Sequence, residues 1–214
     1  MYFEKISRES WVSYVTDVLT SNDAPKDVIE MQISAWDDIK LPRRATAGSA
    51  GYDFYAPTDI MIPPGLNAVI PTGIKVNLEE ETDIPGTTSN NLYVLQIYPR
   101  SSLGFKYNMT LANTVGIIDK DYFNNKKNEG HILISCINNM TFEGCPMKEV
   151  PDIRRGRKVN TIDLEHPETQ SRFIKIEKGT AFAQGIITRV FTTTNDSPVK
   201  EEREGGIGST NTNQ

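Results

Sequence analysis

The fold class this sequence predicts is all-β, a sandwich or barrel of short strands. Three observations predict it. The segments "LYVLQIY" (92–98), "HILISCIN" (131–138), "RFIKI" (172–176) and "GIITRVFT" (185–192) are rich in β-branched and aromatic residues, the types that fit a pleated, half-buried surface. "IKVNL" (74–78) alternates apolar and polar residues with period two. "PPG" at 63–65, "PTG" at 71–73 and "PG" at 85–86 punctuate the strands as turns. Helical patterning is absent after residue 30, and no internal repeat is visible.

The first thirty residues are different. Trp11, Tyr14, Val15, Val18 and Leu19 follow helical spacing and Ser7 or Ser10 can cap the start, so a short amphipathic helix is expected from Ser7 to about Thr20. A linker with Asn22, Asp23 and Pro25 follows. The helix packs on its own domain or a neighbouring subunit; docking of a partner is the lesser reading. The chain thus divides into a helical extension and linker (1–30), a β domain (31–195) and a glycine-rich tail (196–214) expected to act as a flexible lid. Residues 123–129, "FNNKKNE", are polar and predict a loop tip. Residues 143–171 have little periodicity and carry "RRGRK" at 154–158. They predict a long irregular excursion, its basic run a solvated face or, less often, a surface for a protein partner.

Composition narrows the chemistry. A chain of 214 residues with 37% apolar and 8% aromatic content can bury a core. A net charge of −5 argues against nucleic acid as a partner. No run is long and apolar enough for a membrane span, and "MYFEKISRES" lacks the apolar core of a signal peptide. Two cysteines, Cys136 and Cys145, and two histidines, His131 and His166, make neither a zinc site nor a histidine-based triad. Reduced thiols in a cytoplasmic protein are the expectation. The chemistry must then use carboxylates, hydroxyls, guanidinium groups and backbone amides.

Those groups recur in a few places. "NTVGIIDKDY" (113–122) sets Asp119 and Asp121 directly after an apolar run and before an aromatic, where a charge is costly unless paired or used. "YPRSSLGFK" (98–106) offers Arg100, Ser101, Ser102 and Lys106 after a strand, equipment for phosphate oxygens but also common in surface turns. "REGGIGSTNTNQ" closes the chain with amides and hydroxyls that suit a lid over phosphates, or simply a disordered tail. "GSAGYDFYAP" (48–57) holds Asp53 between aromatics, and "KGTAFAQG" (178–185) puts Gln184 at a strand start. Singly, each is better explained as structure. Together they suggest hydrolysis of a phosphoanhydride, with Asp119 as general base on a water, a divalent ion screening the phosphates and the Tyr122 ring against a sugar or base.

In this order the segments resemble the five motifs of the trimeric dUTPase family. "AGYDFYA" is similar to the first, "PRSSLGFK" the second, "NTVGIIDKDY" the third, "KGTAFAQG" the fourth and "REGGIGST" the fifth, across roughly 31–210. The resemblance implies a jelly-roll-like subunit in a homotrimer with active sites between subunits, cleaving dUTP to dUMP and pyrophosphate with Mg2+. Residue by residue it implies Asp119 as the base that activates water. Asn113 and the backbone of Gly116, Ile117 and Ile118 match the hairpin that reads uracil, where an unmatched buried hydrogen bond discriminates strongly. Tyr122 matches the ring that packs on deoxyribose. Arg100, Ser101, Ser102 and Gln184 match phosphate contacts. Asp53 matches an acid touching the metal through water, with no direct protein ligand. Arg203, Gly206, Ile207, Gly208 and Ser209 match the lid.

Departures from the pattern are local. Ala181 stands at the usual arginine of motif four. In motif five Glu202 holds the usual arginine position and Arg203 lies one residue nearer the glycines, as in a shorter spelling of the motif. Ile207 replaces a phenylalanine over the uracil, losing stacking worth roughly 0.5–1.5 kcal/mol. The expectation is an active enzyme with a less firmly closing lid. Gly130 comes late in motif three, which should leave the base-binding hairpin intact. Two alternatives remain. A dCTP deaminase would need a glutamate within the strand at 131–138, whereas Glu129 precedes it. A nucleotide-sensing regulator would dock protein through 143–171 or the N-terminal helix.

Overall fold

The computed structural model describes residues 1–81, 91–152 and 156–197. Strand β1 (Tyr2–Lys5) opens the chain and helix α1 (Arg8–Thr20) follows. Ser7 is the N-cap; its hydroxyl accepts from the Ser10 amide at 3.1 Å, satisfying one of the first-turn donors that an α-helix leaves unbonded. Trp11 and Val15, on one face, sit in the same apolar cluster as the strands. The helix therefore packs on the β body.

Where a linker leading into strands was expected, the chain forms helix α2 (Lys26–Ser34) and a 3-10 turn at Ala35–Asp38. A helix of nine residues is marginal alone, and this one buries no residue fully. Its support is tertiary: the Trp11 indole donates to the Gln32 carbonyl at 3.1 Å, and the Trp36 indole donates to the Ile6 carbonyl at 3.2 Å. Propensity within the segment could not reveal that.

The β domain is built of antiparallel sheets. The largest runs in the order β2 (Arg43–Arg44), β3 (Tyr52–Tyr55), β14 (Ala181–Val190), β7 (Leu92–Pro99), β9 (Gly116–Ile118). A second holds β5 (Asn67–Pro71), β10 (Leu133–Asn138) and β8 (Met109–Leu111). β6 (Ile74–Asn77) pairs with β1, and β4 (Ile60–Ile62) with β13 (Ile174–Ile176). β10 shows the clearest alternation, with Ile134, Cys136 and Asn138 inward. In β14 a bulge between Ala181 and Ala183 lets consecutive Phe182 and Ala183 both face the core. Phe54, Leu95, Ile97, Met109, Ile132, Ile174 and Phe182 form the centre of that core.

Two local expectations change and a third is refined. "PRSSLGFK" is not a turn: Ser101–Tyr107 form helix α3, closed by Asn108 in the left-handed conformation. Residues 143–171 are not irregular. They fold as a ribbon of β11 (Met147–Asp152) on β12 (Arg157–Ile162), followed by a single helical turn, α4 (Pro167–Gln170). Their alternation is hidden because neither strand has a buried face to make it apolar. Residues 123–129 form the expected polar turn, with Asn124, Lys126 and Lys127 exposed, but Asn125 is buried and Glu129 is bonded to the N-terminal helix. Cys136 and Cys145 are free and buried, and burial pushes the Cys136 thiol up to about 12. Among the described residues no helix is long and apolar enough to cross a membrane.

Candidate active site

The sequence-predicted residues fall into two groups along β7, one at its C-terminal end and one beside its middle. At its C-terminal end three strands bring Asp53, Gln184 and Arg100 together. Gln184 on β14 lies in register with Asp53 on β3 and with Tyr98 on β7. Its side-chain amide reaches the Pro99 carbonyl at 3.4 Å. Arg100 Nε approaches Asp53 Oδ1 at 3.7 Å. Arg100 is partly solvated, so the pair adds at most about 1 kcal/mol; its effect is to aim the guanidinium. Ser101 and Ser102 are exposed in the first turn of α3, where backbone N–H groups precede any acceptor within the helix. The cluster thus presents a cation, two hydroxyls and unengaged helical amides on one edge.

The second group surrounds β8 and β9. These strands flank the turn at residues 112–115, yet they do not pair with each other: β8 pairs with β10, and β9 pairs with β7. The hairpin expected from motif three is therefore splayed between two sheets. Asn113 is exposed at its tip, and Thr114 takes a positive φ of 64°. Gly116 packs so closely on β7 that a Cβ there would lie 3.0 Å from Ile97 Cβ. Ile117 faces outward and Ile118 is half-buried. Asp119 follows on the exposed side. It lines a crevice with Asn77, Glu79, Leu92, Lys120 and Phe123.

Tyr122 lies on the far side of the short turn Lys120–Tyr122. It is 8% exposed, and its hydroxyl donates to the His131 carbonyl at 2.9 Å. Its uncovered edge borders another cavity, of about 350 Å3, whose opposite wall is Ser10, Tyr14 and Asp17 of α1. Within one chain the acid and the ring thus border different concavities.

Several residues near Tyr122 carried no functional signal in sequence. Glu129 accepts from the Ser7 amide at 2.9 Å, from the Ser10 hydroxyl at 2.6 Å and from Lys75 Nζ at 3.3 Å. Burial works against its charge, but these donors outweigh it and hold the carboxyl at about 2. The acid weighed for deamination is thus committed to anchoring α1. His131 is buried with its Nε2 accepting from the Gly73 amide at 2.9 Å, and burial lowers its pKa to about 4. The signal that could have found these groups is the density of asparagines before Gly130, since Asn side chains commonly bond nearby backbone. Arg203, Gly206, Ile207, Gly208 and Ser209 lie outside the described residues.

Comparison with known proteins now decides the family. A family model described as dUTPase matches residues 37–142. The deoxyuridine 5'-triphosphate nucleotidohydrolase of Lactococcus lactis is 34% identical over 173 residues, covering 80% of this chain and 88% of that protein. The chain belongs to the dUTPase family. The enzyme of the same name from Thiobacillus denitrificans is 31% identical over 175 residues, 80% of this chain and 90% of its own. That from Psychromonas ingrahamii is 40% identical over 106 residues, 49% of this chain and 60% of the relative. Among solved structures, a dUTPase from Streptococcus mutans aligns with a TM-score of 0.53 at 24% identity, over 91% of this chain and 100% of that one. This likeness supports the all-β, jelly-roll-like fold of the family member.

Proposed function

We propose that this dUTPase-family chain hydrolyses dUTP to dUMP and pyrophosphate in active sites shared between copies of itself. The observation that carries the reading is the separation of the two residue groups along β7. Ile118 pairs with Leu95, midway along β7, so Asp119 lies beyond it on the side of Leu92, while Arg100 follows Leu95 by five residues in the other direction. At ~3.3 Å per residue the acid and the cation cluster of one chain lie roughly 16 Å or more apart. One chain cannot aim both at a single phosphorus. A second copy that brings its Asp119 to the Arg100 cluster completes the site, and a closed homotrimer provides three such junctions.

In this reading Asp119 takes a proton from a water whose oxygen bonds to the α-phosphorus, while the bond from that phosphorus to the bridging oxygen breaks and pyrophosphate leaves. Arg100, Ser101, Ser102 and Gln184 bind phosphate oxygens by charge-assisted hydrogen bonds. The gap between the splayed β8 and β9 offers backbone donors and acceptors of Gly116–Ile118, with the Asn113 amide, to the edge of uracil. Tyr122 packs against the deoxyribose.

Mg2+ suits this donor set only as a partner of the substrate. Asp53, beside the cation cluster, is the residue that would hold a substrate-bound ion through water. Bound there, the ion screens phosphate charge. Two free, buried thiols fit a cytoplasmic setting.

The test is pyrophosphate release from dUTP, dCTP, dTTP and UTP with magnesium, run on wild type and Asp119→Asn. Wild type should prefer dUTP, and the variant should bind nucleotide within a few-fold while turnover drops roughly 10²–10⁴-fold. Undiminished turnover removes Asp119 from the role of base. Mixing Asp119→Asn with Arg100→Ala separates shared from private sites, because only shared sites regain activity in mixed oligomers.

A further inference from the structure

Tyr122 is gripped at both ends by the segment that follows it. At the phenol, the hydroxyl donates to the His131 carbonyl and accepts from Asn128 Nδ2 at 2.8 Å. At the backbone, the Tyr122 carbonyl accepts from Asn125 Nδ2 at 2.8 Å. The two asparagines are joined to each other, Asn125 Nδ2 to Asn128 Oδ1 at 2.8 Å, and Asn125 Oδ1 also accepts from the Asn128 amide at 3.1 Å. The hydrogen bonds therefore close a ring from tyrosine carbonyl through both asparagines to tyrosine hydroxyl. Asn125 is buried, as is the tyrosine, so these bonds form where loose alternatives in water are few. The residue after Asn128 is Glu129, whose bonds to Ser7, Ser10 and Lys75 tie the far side of the ring to α1 and β6.

We propose that Asn128 is a positioning residue for substrate choice: it fixes the Tyr122 ring by its hydroxyl so that the enzyme distinguishes a deoxyribose from a ribose. The inference rests on the reading of Tyr122 as the ring that packs on the sugar. Its physical basis is the weakness of the alternative. A merely apolar surface rejects an analogue that adds one hydroxyl by only about 10²-fold. Rejection of a 2'-hydroxyl by contact with a ring depends on the ring being unable to retreat, and displacement of about 1 Å is enough to relax such a contact. A buried tyrosine hydroxyl usually finds one hydrogen-bond partner. Here both ends of the side chain's residue are bonded into one network that leads to the N-terminal helix. A polar turn of the kind "FNNKKNEG" is thus part of the specificity apparatus.

The experiment measures kcat/KM for dUTP and for UTP on purified wild type, Asn128→Ala, Tyr122→Phe, the double variant and Tyr122→Ala, with circular dichroism to check folding. Asn128→Ala should lower the dUTP/UTP ratio at least tenfold. Tyr122→Phe keeps the ring but removes the bonded hydroxyl, so it should give a similar ratio, and the double variant should be no worse than either. Tyr122→Phe also tests the same bond should Asn128→Ala fail to fold. A ratio within twofold of wild type in the folded single variants overturns the proposal, and so does an equal loss on both substrates, which marks a purely structural role. If Tyr122→Ala lowers the ratio while Tyr122→Phe and Asn128→Ala do not, the sugar-facing ring stands and only its positioning by Asn128 falls. A wild type that releases no pyrophosphate from dUTP, or a Tyr122→Ala ratio equal to wild type, overturns the reading beneath it and the proposal together.

Discussion

In the turn at residues 123–130 the side chains of Asn125 and Asn128 bond the chain's own backbone, whereas in the β11–β12 ribbon charged side chains bond each other. Asn125 alone serves the Tyr122 carbonyl and the amides of Lys127 and Asn128. In the ribbon Lys158 meets Glu149 at 3.1 Å across the strands, and Lys148 meets Asp163 at 3.0 Å beyond its base. The two regions are equally polar but differ in what a polar group can reach. An amide carries both donors and acceptors on a short stem and can replace backbone partners inside a fold. Lysine and glutamate carry long stems and full charges that favour water. One segment is consequently part of the interior around Tyr122, and the other pairs at the surface, strand to strand and with residues just beyond its base.

Acid should separate the two regions most sharply. The inward segment ends at His131, which stays neutral down to about 4 when folded although its ordinary value is 6.5. Between those values the unfolded chain binds a proton that the folded chain refuses. Stability is therefore complete above pH 6.5 and falls as pH drops towards 4, by roughly 3 kcal/mol in all, since one proton bound costs about 1.36 kcal/mol for each pH unit crossed. Glu129 acts in a lower window: its contribution is full above its ordinary 4.5 and is lost only as pH falls through about 2. Urea titrations from pH 7.5 to 4 should show the loss, and His131→Gln, which keeps an acceptor for the Gly73 amide, should flatten it. A slope unchanged in the variant would assign the acid sensitivity to another group.

A smaller effect is expected where the inward turn closes. Gly130 has a φ of 83°, and a Cβ added there would sit 2.6 Å from the Tyr122 carbonyl oxygen. That oxygen belongs to the backbone and cannot swing away. Gly130→Ala should cost about 2 kcal/mol, roughly 4–8 °C in Tm for a chain of this size. A melting temperature equal to wild type would show that the turn yields freely, against the rigid clasp inferred around Tyr122.

The smallest effect belongs to the ribbon. The Asp163 amide donates to the Pro146 carbonyl at 2.8 Å, so the ribbon's two ends already lie side by side and a short Gly-Ser bridge can replace residues 147–162. Its exposed pairs should contribute within about 0.5 kcal/mol. The shortened chain should melt within ~2 °C of wild type and release pyrophosphate from dUTP at the same rate per site. A drop in either measurement would make the ribbon part of the working subunit and erase its contrast with the inward turn.

Legibility in the sequence followed the same physical division. Strand segments declared themselves through β-branched composition, as in "HILISCIN", or through a two-residue period, as in "IKVNL". Helix α1 declared itself through a serine cap and one apolar stripe. Helix α3 did not, since its seven residues bury none of their number. Among site residues, Asp119, Arg100 and Gln184 stood out because charge or amide beside apolar runs is costly without a use. Asn125, Asn128 and Glu129 did not, because polar residues between strands are most often solvated.

The sequence by itself determined the all-β class, the capped N-terminal helix and the ordered motifs by which the chain resembles dUTPases, since each depends on neighbours within a few residues. Only the tertiary structure decided which polar groups turn inward, that β8 and β9 splay into different sheets, and that the acid and the cation cluster are set apart along β7. Those outcomes depend on specific partners from a few residues away, as with Asn128 and Tyr122, to more than one hundred, as with Ser7 and Glu129. The free energy that selects them comes from burial and hydrogen bonding between distant segments, and no local pattern carries it.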